Sequence, residues 1–73
     1  MMLRSSQTEY RVHIGGRPID TIEASDDEAA AIAFSKLLEL DAELAAMSDN
    51  VPVFIVGPDG VCWSSDLGYF RRR

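Results

Sequence analysis

A chain of 73 residues with 47% apolar and 26% charged content makes one globular domain near the lower size limit for folding alone, and excludes global disorder. A net charge of −5, a single cysteine and no 18-residue apolar run argue against a nonspecific nucleic-acid binder, an internal disulfide or cysteine metal cluster, and a membrane span. No cofactor motif is present. Residues 1–7 have no apolar h-region, so the expected compartment is the cytoplasm.

The charge is unevenly placed. Residues 20–66 hold eleven acidic side chains and one basic one, Lys36, for a net of −10, whereas both ends of the chain are basic. Phosphate contacts need a basic face. A protein partner with a basic surface suits this body better than nucleic acid does.

Residues 1–7 are polar and expected to fray. Residues 8–14 alternate: Thr8, Tyr10, Val12 and Ile14 take one side, Glu9, Arg11 and His13 the other, the pattern of a half-buried strand. Gly15-Gly16 supplies the positive φ that a two-residue hairpin turn requires. Residues 17–24 return as a second strand, and Pro18, lacking an N–H, assigns it to a sheet edge.

Residues 25–47 predict the central helix. Ser25-Asp26-Asp27-Glu28 fits a capping box, with Ser25 and Glu28 each satisfying the other's backbone N–H. Asp26, Asp27 and Glu28 also complement the positive end of the helix dipole. At about 100° per residue, Ala30, Ala33, Phe34, Leu37, Leu38, Leu40, Leu44 and Ala45 gather on one side. Ser35, Lys36, Glu28, Glu39 and Glu43 take the other, with Ile32 misplaced among them. Asp41 falls inside the apolar arc. It is the cap of a short second helix through Met47, a solvated residue at a frayed end, or a buried carboxylate that must then be paired.

Residues 48–50 connect to a third strand, 51–56, apolar on both faces as a central strand is. Gly57-Pro58-Asp59-Gly60 is a turn. Residues 61–65 form the fourth strand, and 67–73 leave the sheet as a short tail, with Tyr69 and Phe70 either packed back on the sheet or presented for binding, and three arginines that are solvated or contact phosphate or an acidic surface. The expected architecture is α/β of the α+β type: ββαββ, one four-stranded antiparallel sheet in the order 2-1-3-4, with a right-handed crossover and the helix on one face.

The strand, glycine turn, strand and Ser-x-x-Glu-Ala helix start over residues 8–34 resemble the beginning of HicB-type antitoxins. The Pro-Asp-Leu-Pro-Gly segment that those proteins carry before the helix is absent, so their function is not implied. In size, charge and topology the chain is also similar to phage-encoded inhibitors of host defence, anti-CRISPR proteins among them, with no shared motif.

No catalytic constellation is signalled. His13 lies on a strand face without a nucleophile beside it, and Ser64, Ser65 and Asp66 lack an elbow motif. The two glycine turns precede no helix and no Lys-Ser/Thr pair, so they are not phosphate loops. The sequence therefore suggests a non-enzymatic interaction module, of the kind that inhibits a nucleic-acid-handling protein. One candidate surface is the acidic helix face: Asp26, Asp27, Glu28, Glu39 and Glu43, with the three glutamates in one outward row. The other is the open sheet face: Arg11, His13 and, if it points outward rather than into the core, Trp63. Self-association in a homodimer, or an antitoxin-like regulator, is the alternative, motivated by a thin core and by Ile32.

Overall fold

Alternation over residues 8–14 yields the strand it predicts. The computed structural model describes residues 7–73, so most of the stretch expected to fray lies outside the described residues. Strand β1 (Thr8–Ile14) buries Tyr10, Val12 and Ile14 and leaves Glu9 and Arg11 exposed. Gly15 and Gly16 follow with φ of 61° and 83°, as a type I′ turn needs at both central positions. Strand β2 (Arg17–Ala24) runs back along β1. Only its last residue, Ala24, is buried, because the helix that follows at once covers that end alone. Strands β3 (Pro52–Gly57) and β4 (Gly60–Asp66) complete an antiparallel sheet in the order β2-β1-β3-β4. This is the expected topology, with Pro18 on an edge.

Helix α1 (Asp27–Leu40) starts one residue later than the capping box implies. Asp26, extended at φ −157° and ψ −179°, is the cap, and its carboxylate accepts from the Ala29 N–H at 2.8 Å. Tertiary contacts explain the shift. Asp27 lies in the first turn, where its carboxylate accepts from the Tyr10 hydroxyl at 2.9 Å and its carbonyl from the Trp63 indole at 2.8 Å. Glu28, expected to reach back to Ser25, pairs instead with Arg73.

The helix ends at Leu40 rather than in the mid-forties. Asp41 is extended; its N–H donates to the Leu37 carbonyl at 2.9 Å, and its carboxylate accepts from the N–H groups of Glu43 and Leu44. One residue thus closes α1 and caps α2 (Ala42–Ala45), the first of its three readings. The break rotates the chain. Leu44 is buried as expected, but Leu40, expected in the core, is 85% exposed.

The largest departure is at the C-terminus. Residues 67–73 are not a tail: α3 (Leu67–Arg72), capped by Asp66, buries Leu67, Gly68 and Phe70. The Phe70 ring meets Phe34 edge-on at 5.0 Å, and the Ser35 hydroxyl donates to the Phe70 carbonyl at 2.9 Å. That is why Ser35 and Ala31 are partly or wholly covered although they lie off the predicted apolar arc. Arg71 is not solvated either. It donates to the carbonyls of Leu44, Ala45 and Met47 at the end of α2 and pairs with Asp49, a cation serving the negative end of a helix.

The core lies between the sheet and the helices. Val12, Val53, Ile55, Phe34, Leu67 and Phe70 are its fully buried large side chains. No described residue outside the sheet covers its opposite face, and alternation points half the side chains of β1 and β3 toward it.

Candidate functional site

The acidic helix face is not one surface. Asp26 is spent on the cap, Asp27 on Tyr10, and Glu28 on Arg73. The Arg73 guanidinium stacks 5.1 Å from the Trp63 ring centroid and 5.7 Å from that of Tyr69, whose hydroxyl it also meets at 2.8 Å. Glu39 stands farther along α1 and Glu43 on α2, past the break at Asp41, so the expected row of three glutamates is interrupted. A groove of about 540 Å³ lies along α1, lined by Glu28, Ile32, Ser35, Lys36, Glu39 and Arg73. Ile32, the misplaced apolar residue, is 46% exposed there.

Trp63 belongs to the helix side of the sheet, not the open face. It lies opposite the buried Ile55, packs 6.0 Å from Phe70 and 6.1 Å from Tyr69, and is tied to α1 through Asp27. The reason is a bulge in β4 between the Val56–Val61 and Ile55–Trp63 pairs, which inserts Cys62 and resets the alternation.

The open face does bring Arg11 and His13 together, with partners that sequence reasoning did not single out. Arg11 lies opposite Val56, and Val56 opposite Val61; His13 lies opposite Phe54, and Phe54 opposite Ser64. This two-row patch crosses three strands. Phe54 is 37% and Val61 58% exposed, with half-buried Val56, the partner of Val61, between them; a contiguous apolar patch of this kind marks a contact surface. The signal is legible in residues 51–56. A strand apolar on both faces needs two covers, and a chain with one layer of helices supplies one.

A second concavity, about 320 Å³, lies at the β3–β4 turn, where Tyr10, Asp27, Asp59 and Cys62 meet. Burial pushes the Tyr10 hydroxyl up to about 12, and its hydrogen bond to Asp27 adds to the effect. Burial also raises the Cys62 thiol, with Asp27 adding to it. The thiol lies 3.3 Å from the Ile55 carbonyl, to which it donates. Both groups hold their protons at neutral pH, the opposite of an activated nucleophile. No cluster of three or more His, Cys, Asp or Glu side chains suited to a metal ion occurs among the described residues, and no helix there is long and apolar enough to cross a membrane.

The arrangement offers a surface for contact: an apolar patch beside a cation and an imidazole, on a chain whose remaining exposed charge is largely acidic. Compared with known proteins, the chain matches no family model, no curated protein and no solved structure, so its likeness to antitoxins and phage inhibitors rests on element order, size and charge alone.

Proposed function

We propose that this chain is a non-enzymatic protein-interaction module that docks a basic partner protein through the open face of its sheet. The observation that carries the reading is the apolar patch of exposed Phe54 and Val61 with half-buried Val56 between them, flanked by Arg11 and His13, on the face that no helix covers among the described residues. Apolar side chains at the centre of a contact supply most of its affinity, and the net field of the whole chain steers the partner. The −10 of residues 20–66 selects a cationic surface, such as that of a nucleic-acid-handling protein, and an inhibitor is the class this suits. The setting is the cytoplasm, where a single unpaired thiol persists reduced.

The test is capture from a lysate at rising salt, repeated with two variants. The expected result is a retained basic protein whose binding falls as salt rises. Phe54→Ser should release it by accelerating dissociation. The double reversal Glu39→Lys with Glu43→Lys should slow association about tenfold at low salt. A partner indifferent to Phe54→Ser would place the docking surface elsewhere. One indifferent to both salt and the reversal would remove the charge argument.

A further inference from the structure

The sheet has two edges, and they are finished differently. Edge β2 is blunted. Pro18 has no N–H to offer, the Asp20 carboxylate takes the Thr21 N–H at 2.7 Å, a register shift interrupts the strand opposite Val12 and His13, and Arg17, Asp20 and Glu23 line it. These are the devices by which proteins keep an edge from pairing. Edge β4 shares only the register shift, at Cys62. Residues 60–65, Gly60-Val61-Cys62-Trp63-Ser64-Ser65, contain no charge and no proline, and among the described residues no backbone–backbone hydrogen bond outside the sheet involves them. β4 is an outer strand of the sheet, and among the described residues no further strand pairs with its outward N–H and C=O groups.

We infer that β4 is a pairing edge, which takes an extended segment of the partner as a fifth strand. The inference rests on the reading of the chain as a binder of basic proteins and says how it binds: main-chain hydrogen bonds supply affinity, and side chains at the edge supply selectivity. The geometry specifies the segment. Asp59 stands exposed at one end of the edge, and Asp66, half-buried with Oδ1 on the α3 cap, keeps its negative charge at the other, so the ligand is an alternating, β-prone stretch with a basic residue at each end. Val61 belongs both to this edge and to the open-face patch, so a segment paired with β4 continues the apolar surface.

The same carboxylates disfavour a second copy as the occupant. In the antiparallel pairing that overlaps residues 60–65 in full, Val61 faces Ser64 of the other copy, and Asp59 faces Asp66. That sets like charges together at both ends, between chains of net charge −5.

The probe is a synthetic peptide of alternating valine and threonine with two lysines at each end. Its control carries glutamates in place of the lysines. Binding is followed by amide chemical shifts and hydrogen exchange of the full chain. The expected result is that the lysine peptide shifts and protects amides of residues 60–65 and leaves those of β2 unchanged, whereas the glutamate peptide does neither. Ser64→Lys, at an exposed position on this strand, should keep the fold and weaken the lysine peptide about tenfold. Binding that maps to the open face or to β2 and survives Ser64→Lys would overturn the pairing edge but leave the basic-partner reading intact. Binding of neither peptide overturns the pairing edge, and the lysate capture then decides the wider reading separately. Protection of 60–65 without peptide, in a chain that sediments as a dimer, would make a second copy the occupant and overturn the inference.

Discussion

The two hairpins of this sheet are built from the same parts and finished for different surroundings. The β1–β2 hairpin turns on two glycines at positive φ, and residues 8–24 carry five charged side chains. The β3–β4 hairpin turns on Pro58 and Asp59, and Asp59 is the one charged residue between positions 50 and 65. Each contains a register shift. In β1–β2 the shift helps to close an edge. In β3–β4 it turns Trp63 under the helices and leaves Val61 on the open face. Solvent tolerates the first hairpin as it is. The second places apolar side chains and unpaired backbone at the surface, an arrangement that protein surfaces usually avoid unless something covers it.

The difference is sharpened most by removing what holds β4 down. Phe70→Ala deletes a fully buried ring that packs on Phe34, Trp63 and Tyr69. It should cost about 3–5 kcal/mol in denaturant unfolding, as large core truncations do. The β4 and α3 amides should lose exchange protection before those of β1 and β2. Uniform loss across the sheet would mean that the hairpins unfold as one unit.

Tyr10→Phe tests the contact that joins the hairpins. The Tyr10 ring lies 3.0 Å from where a Cβ on Gly57 would stand, and its hydroxyl donates to Asp27. Losing this one hydrogen bond while keeping the ring should lower the denaturant midpoint by much less than the Phe70 truncation does. The change should also remove a pH dependence. Because the hydroxyl is raised to about 12 from an ordinary value near 10, its contribution is complete below about pH 10 and is lost as pH rises toward 12. Native protein should weaken over that window in alkaline titrations followed by circular dichroism. The Phe variant should weaken less. A variant with the same alkaline slope as the native chain would assign that slope to other groups.

The smallest effect on folding is expected from paired surface changes. Val61→Ser and Ile19→Ser each trim an exposed apolar side chain on an outer strand, and each should alter stability by only about 0.5 kcal/mol. Their effects on binding should differ. The change at Val61 removes part of the open-face patch and the pairing edge and should weaken capture of the partner. The change at Ile19 should not. Equal losses would erase the functional distinction between the hairpins.

Several elements are legible in the chain itself. Period-two alternation marks β1, Gly15-Gly16 its turn, Pro18 an edge, and the doubly apolar run at 51–56 a central strand. Together these lead to the order 2-1-3-4. Helix boundaries are less legible: the capping box points to Ser25 where the structure uses Asp26, and Asp41 has three readings. The candidate site is legible only in part. Arg11 and His13 do share the open face, but Trp63 leaves it through a bulge that no local pattern announces.

The amino-acid sequence on its own therefore determined the four strands, the central helix and the strand pairing, since alternation, glycine turns and proline act over a few residues. The tertiary structure alone decided the end of the chain and the fate of its charges. Leu67-Gly68-Tyr69-Phe70 is too short to make a helix convincing from its own propensity. It becomes one because Asp66 caps it and Phe34 receives Phe70. With α3 in place, Arg71 finds the carbonyls ending α2, and Arg73 finds Glu28 and the face of Trp63. Charges that look solvated along the chain become ties between distant elements: Arg71 reaches the Met47 carbonyl 24 residues away and Arg73 reaches Glu28 45 residues away, and only folding brings them within reach.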